Sequence, residues 1–309
     1  MQFSAFGEKF TQHSGILQLM DDLGDALKSD KPINMLGGGN PAKIAEVNAV
    51  FADVFSKLAA EHAVENIGNY SNPQGDAALI AALTEFLNRE YGWNLTADNI
   101  ALTNGSQNAF FYLFNLFGGK FNLSDGQTAE KAILLPLAPE YIGYADVHVE
   151  GQHFISVKPK IENVEHEGEA GFFKYRVDFD ALESLPELKE GKIGAICCSR
   201  PTNPTGNVLT DGEMARLDAY PLKIHKPEGA IFLWLWFENL PVSSQTLYEM
   251  LKAEGTLIIP GEHFFVGIDT QDYPHAHECI RMSIAQDAET LEKGIAAIGR
   301  VVRGLYDKK

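Results

Sequence analysis

A chain of 309 residues has room for one large domain or two moderate ones. With 45% hydrophobic and 22% charged residues it has a globular composition, which excludes a disordered chain, a collagen or a coiled coil. The formal net charge of −17 excludes nucleic acid and an anionic membrane as main partners, because an acidic surface repels both, whereas a small anionic ligand feels only the local field.

The first ten residues, MQFSAFGEKF, carry no basic segment ahead of an apolar run, so no signal peptide is expected. Helical periodicity begins with Ile16, Leu19, Met20, Leu23 and Leu27. It returns over Ile44, Val47, Phe51, Val54, Phe55 and Leu58, and again over Leu79, Ile80, Leu83, Phe86 and Leu87. The most apolar stretch, Ala109–Phe117, is far shorter than the roughly 20 residues of a membrane span, and a cytoplasmic location is expected.

Short apolar runs bounded by Gly and Pro predict strands at Ile100–Leu102, Ala132–Leu135, Ile193–Cys198, Ile231–Phe237, Leu257–Ile259 and Ile280–Ile284. Leu291, Ile295, Ile298, Val302 and Leu305 predict a long last helix with Asp287 as its N-cap. Alternating strands and helices indicate an α/β fold with a mostly parallel sheet. The acidic, mixed stretch Ile161–Gly191 reads as a surface excursion, and Pro221 and Pro227 flank the start of a small α+β unit. Cys197, Cys198 and Cys279 make no disulfide framework.

One local feature is odd. Thr210 caps a short helix, Asp211–Leu217, which should feed another parallel strand, yet no apolar run follows before Ile231.

Four motifs can carry chemistry. In Leu102–Ala109 a strand ends, a turn containing Gly105 follows and an apolar helix begins, so Ser106 and Gln107 sit at a helix N-terminus suited to an anion. A plain turn with a serine cap would look the same. Ser199-Arg200-Pro201-Thr202-Asn203-Pro204-Thr205-Gly206 follows a strand at the end where open α/β sheets bind ligands, and Pro204 holds Asn203 extended. Pro136–Tyr144 also follows a strand and presents Tyr141, which can stack on a flat ring or pack on the sheet edge. In the apolar run Cys279–Ile284, Arg281 demands an acid, either a ligand carboxylate held by its planar fork or an internal salt bridge. His275, His277 and Cys279 lack a fourth ligand and read as a surface loop rather than a metal site. Gly37-Gly38-Gly39 lacks the strand and helix of a dinucleotide fingerprint.

Taken in this order, the motifs resemble those of the class I/II aminotransferases, the fold-type I pyridoxal-phosphate enzymes, and Tyr70-Ser71-Asn72-Pro73-Gln74-Gly75 fits the same family. The stretches 136–146, 199–211 and 225–237 look closest to members that move an amino group between a small aliphatic amino acid and a 2-oxo acid such as pyruvate. The resemblance implies a PLP-dependent transferase-like large domain over 41–219, a C-terminal small domain over 220–309, and a segment, 1–40, packing on the latter. It implies pyridoxal 5′-phosphate as cofactor and a homodimer. Gly105, Ser106 and Gln107 would hold the cofactor phosphate, with Tyr70 reaching it from the neighbouring subunit. Tyr141 would stack on the ring, Asn203 would hydrogen-bond its phenolic oxygen, and Arg281, helped by the Gly39 N–H, would bind the substrate carboxylate. Apolar residues near the entrance, Phe264 and Phe265 among them, would suit an aliphatic side chain.

The chain departs from the family after the Asn-Pro-Thr-Gly loop. Members continue through a strand with an Asp for the pyridine nitrogen and a Ser-x-x-Lys-like segment whose Lys forms the Schiff base. Here Leu217-Asp218-Ala219 runs straight into Tyr220–Gly229, which matches the small domain. Neither the Lys nor the Asp is found, so no catalytic residue is assigned and transamination by this chain is expected to be poor. Losing whole strands should also uncover an apolar face beside Ile193–Cys198. Two further readings are a homologue that only binds, and a related lyase or transferase on the same scaffold.

Overall fold

The computed structural model describes residues 2–12, 14–28, 33–61, 69–149, 153–166, 169–218 and 231–307. In chain order these form α1 (Ala5–Phe10), α2 (Gly15–Lys28), β1 (Asn34–Met35), α3 (Ala45–Ala60), α4 (Ala77–Tyr91), α5 (Ser106–Phe117), β2 (Gly119–Asn122) and β3 (Thr128–Leu135). Next come β4 (Phe154–Ser156), β5 (Lys160–His166), β6 (Glu169–Arg176), α6 (Phe179–Ser184), α7 (Pro186–Lys189), β7 (Ile193–Ile196) and α8 (Asp211–Asp218). The chain closes with β8 (Phe232–Trp236), α9 (Ser244–Ala253), β9 (Thr256–Leu257), β10 (Ile259–Pro260), α10 (Pro274–His277), β11 (Cys279–Ser283) and α11 (Ala288–Tyr306). By contacts it divides into one unit of Met1–Ala42 with Leu113–Lys309 and a second of Lys43–Tyr112.

In the first unit the larger sheet is built around β3, which pairs in parallel with β4 and β7 and antiparallel with β2. Ile133, Leu134 and Leu135 are fully buried, as a continuous apolar run requires of a parallel strand covered on both faces. The smaller sheet is antiparallel, in the order β10-β11-β8. The N-terminal segment joins this part of the unit: β1 pairs with β9, and Leu36 lies in one core with Leu247, Leu251, Met282 and Ile298. Asp287 caps α11 by accepting from the Thr290 N–H.

The capping prediction at Thr210 is met in full. Its hydroxyl accepts from the Glu213 N–H while the Glu213 carboxylate takes the Thr210 N–H, a reciprocal capping box. Glu213 is buried, and its other oxygen accepts from Val177 N. The box thus ties α8 to the chain leaving β6.

Several expectations are corrected. Ile161–Gly191 is no surface excursion: β5 and β6 form a hairpin, and Tyr175, Val177, Phe179 and Leu182 enter the core. From Phe173 to Asp180 apolar residues alternate with charged ones of both signs, so net composition hid a period-2 pattern. The Trp234 indole donates to the Tyr175 hydroxyl at 2.8 Å, and that hydroxyl faces His275 Nε2 at 2.5 Å. His275 therefore belongs to a buried cluster on α10 rather than to a surface loop. Burial pushes its imidazole down to about 4, which keeps it neutral. His277 instead faces Glu262 and the Thr270 carbonyl.

Beside β7 the described residues give partial cover to the apolar face. Ile193–Cys198 are half-buried, and Ile193, Ile196 and Cys198 pack on a core that includes Leu182 and Leu217 of α6 and α8. Among the described strands β7 pairs with β3 alone. In the second unit α3 forms as predicted but buries no residue, and Val47, Phe51, Val54, Phe55 and Leu58 are all exposed. Ile100–Leu102 is extended without being a strand. Gln74 holds it, donating to the Ala97 and Ile100 carbonyls at 2.7 Å while its own carbonyl takes the Leu102 N–H.

β7 lies so close to the end of α5 that only hydrogen fits at position 194. A Cβ there would stand 1.7 Å from the Phe117 carbonyl oxygen, a backbone atom that cannot step aside. Gly194→Ala is expected to cost about 3 kcal/mol or more, at or above the upper end for overpacking. Gly299, in α11 with open space around it, is the control: Gly299→Ala should stabilise by about 0.5–1 kcal/mol. Denaturant unfolding of the two variants checks the pair.

Candidate active site

Three of the sequence-predicted residues come together in the first unit. Arg281 is only 3% exposed on β11, in register between Trp234 of β8 and Ile259 of β10. Its Nη1 donates to Asn203 Oδ1 at 2.8 Å, and its Nη2 donates to the Gly37 carbonyl at 2.6 Å. The guanidinium lies 4.0 Å over the Phe232 ring and 5.5 Å from that of Phe264. Tyr141 is near enough to act on its charge.

The electrostatics decide between the two readings of Arg281. Among the described residues it has no carboxylate partner, so the internal salt bridge is ruled out there. A guanidinium has five N–H donors, and two are used. The Nε is buried with no partner. Burial pulls the group down to about 10, and Tyr141 works the other way. The side chain is still a cation at neutral pH, desolvated and short of an anion, which is the state of a carboxylate receptor rather than of a structural pair.

Asn203 stands half-buried in the loop after β7. Gly206, at φ 66°, lets that loop turn back so that its N–H reaches the Thr202 carbonyl at 2.7 Å. Because Arg281 donates to Oδ1, the amide nitrogen of Asn203 is left as a donor with no partner among the described residues. Tyr141 leads into a short 3-10 turn, Ile142–Tyr144, and its ring meets that of Tyr144 edge-on at 5.6 Å. Together these groups offer an aromatic face, an amide donor and a cation for a carboxylate.

The chain around Gly39 reaches Arg281 as well: the Gly37 carbonyl accepts from its Nη2. Gly39 backs the Phe232 ring, with 3.1 Å between that ring and the place a Cβ would take. Phe264 and Phe265 are core residues, 0% and 2% exposed, not entrance residues. Local patterns could not show that Gly37 and Phe232 meet Arg281, because both contacts depend on the pairing of β11 with β8 and on the approach of the chain after β1.

Gly105, Ser106, Gln107 and Tyr70 belong to the second unit. Gly105 takes φ 85°, which favours glycine, and α5 begins at the next residue. Gly105, Ser106 and Gln107 are exposed, as is Tyr70. Lys223 and Lys226, the lysines nearest the departure from the family pattern, lie outside the described residues.

Two loops that follow the parallel strands β3 and β7 thus lie beside a buried arginine that has no carboxylate partner among the described residues. The family model Aminotransferase class I and II matches residues 35–217, and the chain belongs to this family, whose fold-type I members use pyridoxal 5′-phosphate. It is 35% identical to the valine–pyruvate aminotransferase of Escherichia coli (strain K12) over 424 aligned positions that cover 98% of each chain. A putative amino-acid aminotransferase from Psychrobacter arcticum 273-4 is 49% identical, covers 100% of both chains and superposes with a TM-score of 0.92. Valine-pyruvate aminotransferase from Salmonella typhimurium LT2 is 30% identical over 95% of this chain and 100% of its own, with a TM-score of 0.77. Among the described residues no helix is long and apolar enough to cross a membrane, and no group of His, Cys, Asp and Glu side chains could hold a metal.

Proposed function

We propose that the chain carries the site of a valine–pyruvate-type aminotransferase, binding pyridoxal 5′-phosphate together with a small aliphatic amino acid or its 2-oxo acid. The observation that carries this is Arg281, buried beside two phenylalanine rings, bonded to Asn203 and without an acid partner among the described residues. The cofactor, when bound, supplies the electron sink that labilises the amino acid's Cα proton. Tyr141 would stack on its ring, the Asn203 amide would donate to its phenolic oxygen, and Arg281 would hold the carboxylate. Gly105, Ser106 and Gln107 would take the phosphate. Phe232 and Phe264 exclude water around the carboxylate and offer a side-chain carboxylate no partner, which favours an aliphatic substrate. The same reading makes the protein a cytoplasmic homodimer, and the uncovered stripe of α3 and exposed Tyr70 suit a partner copy.

A specific observation favours weak turnover. The alignment with the Escherichia coli relative runs over 424 positions against a chain of 309 residues, so more than one hundred positions have no counterpart here. The family match ends at Leu217, and only residues 219–231 separate α8 from β8. That is where the lysine and the aspartate would lie.

Calorimetry with the stable conjugates N-(5′-phosphopyridoxyl)-L-valine and N-(5′-phosphopyridoxyl)-L-aspartate tests the binding part, since neither needs a lysine. The valine conjugate should bind at least tenfold tighter than the aspartate conjugate. Equal or reversed affinities would remove the aliphatic assignment, and no binding of either would remove the site.

A further inference from the structure

A second arginine, Arg200, lies behind the site and is as buried as Arg281, at 5% exposed. Unlike Arg281 it has its acid: Nη1 donates to Glu140 Oε1 at 2.6 Å, and Glu140 is fully buried. The same nitrogen reaches the Ser199 carbonyl at 2.7 Å and the Thr202 hydroxyl, and Nη2 donates to the Leu137 carbonyl at 2.9 Å. One planar group therefore spans the loop after β3, through Leu137 and Glu140, and the loop after β7, through Ser199 and Thr202. The next residue after Glu140 is Tyr141, and the next after Thr202 is Asn203. The Glu140 N–H also donates to the Phe264 carbonyl at 2.9 Å, which links the clamp to a ring beside Arg281.

Stability alone does not explain this pair. Removing two charges from water is costly, and apolar side chains of similar volume often serve as well or better. Here the cost is visible: burial pushes the Glu140 carboxyl up to about 7 even with a guanidinium at 2.6 Å. Glu140 Oε2 and Arg200 Nε are both buried without a partner. What an ion pair with a rigid fork supplies, and an apolar contact does not, is a fixed distance and angle between two loops. Binding groups misplaced by about 1 Å can lose a factor of about a hundred in rate, so such rigidity matters most where ligand groups must meet at one place.

We propose that Glu140 and Arg200 are positioning residues, whose buried pair holds Tyr141 and Asn203 at the separation that the pyridoxyl ring needs. The inference rests on the proposed cofactor reading of this site. Neither residue touches the ring itself. They act through their neighbours, from strand ends that the sequence separates by 60 residues.

The test uses the whole chain and N-(5′-phosphopyridoxyl)-L-valine, read by calorimetry and by the emission of the bound pyridoxyl ring, with a melting curve for each variant. Glu140→Gln should lower affinity at least tenfold and lower Tm, because it leaves the Arg200 charge uncompensated. The double variant Glu140→Leu, Arg200→Met removes both charges at similar volume. It should regain most of the Tm while affinity stays at least tenfold down and the emission of the stacked ring stays altered. Thr202→Val leaves the ion pair intact and removes one leg of the clamp; about threefold weaker binding at unchanged Tm is expected. Should the charge variants fail to fold, Thr202→Val decides. Affinity that returns together with Tm in the double variant would show a purely structural pair and overturn the proposal, as would an unchanged affinity in Thr202→Val. A wild-type chain that does not bind the conjugate sinks the proposed function itself, and the positioning role with it.

Discussion

Arg281→Lys is expected to weaken binding of N-(5′-phosphopyridoxyl)-L-valine by roughly ten- to hundredfold. A lysine keeps the charge but presents a point donor where the guanidinium presents a planar fork. Loss of one charge-assisted hydrogen bond to a carboxylate costs about 1.5–3 kcal/mol, and about 1.4 kcal/mol is a factor of ten in affinity. The lysine also cannot reach Asn203 and the Gly37 carbonyl together, as Nη1 and Nη2 do at 2.8 and 2.6 Å. Pyridoxamine 5′-phosphate has the ring and phosphate but no carboxylate, and it should lose only a few-fold, reflecting the freed Asn203 amide. Calorimetry with the two ligands separates the effects. Equal losses for both would mean that Arg281 merely supports the fold, and no loss for the conjugate would place the carboxylate elsewhere.

The largest effect concerns chemistry rather than binding. The purified chain should transaminate valine and pyruvate near background, and borohydride treatment in the presence of pyridoxal 5′-phosphate should fix no cofactor to one defined lysine. A positioned general base is worth about 10²–10⁴ in rate, and the family's lysine is both base and covalent anchor. Arg281, Asn203 and Tyr141 can orient a ligand, yet none of them carries the amine that would anchor the cofactor and move the Cα proton. Inserting the relative's segment between Ala219 and Tyr220 should restore turnover and a single labelled lysine together. Turnover by the present chain, with one phosphopyridoxyl-lysine mapped to Lys223 or Lys226, would mean that the shortened chain has recruited a new anchor.

Part of this protein was legible in the order of its residues. The Thr210–Glu213 box, the Asp287 cap and the stripe of α11 are set by groups three or four residues apart, so the local sequence contains the whole interaction. The short helix after Thr210 was legible too, as was the lack of an apolar run between it and Ile231, since a crossover helix ordinarily feeds a parallel strand. Arg281 announced itself as a cation in an apolar strand. Its partners did not. Asn203 lies 78 residues away and Gly37 lies 244 away, and only the pairing of β11 beside β8 and β10 decides which of many polar groups they are. Nor could the chain alone show that Glu140 and Arg200 meet, since each on its own reads as a surface charge next to a proline. The hairpin β5–β6 was hidden for a related reason: its charged residues are legible as composition, while its apolar ones mean something only against the core that Trp234 and His275 provide. Caps and periodicities are local and additive, so sequence carries them. Desolvation is not local, and whether a charge is buried, paired or left waiting for a ligand was decided only when the sheets closed around it.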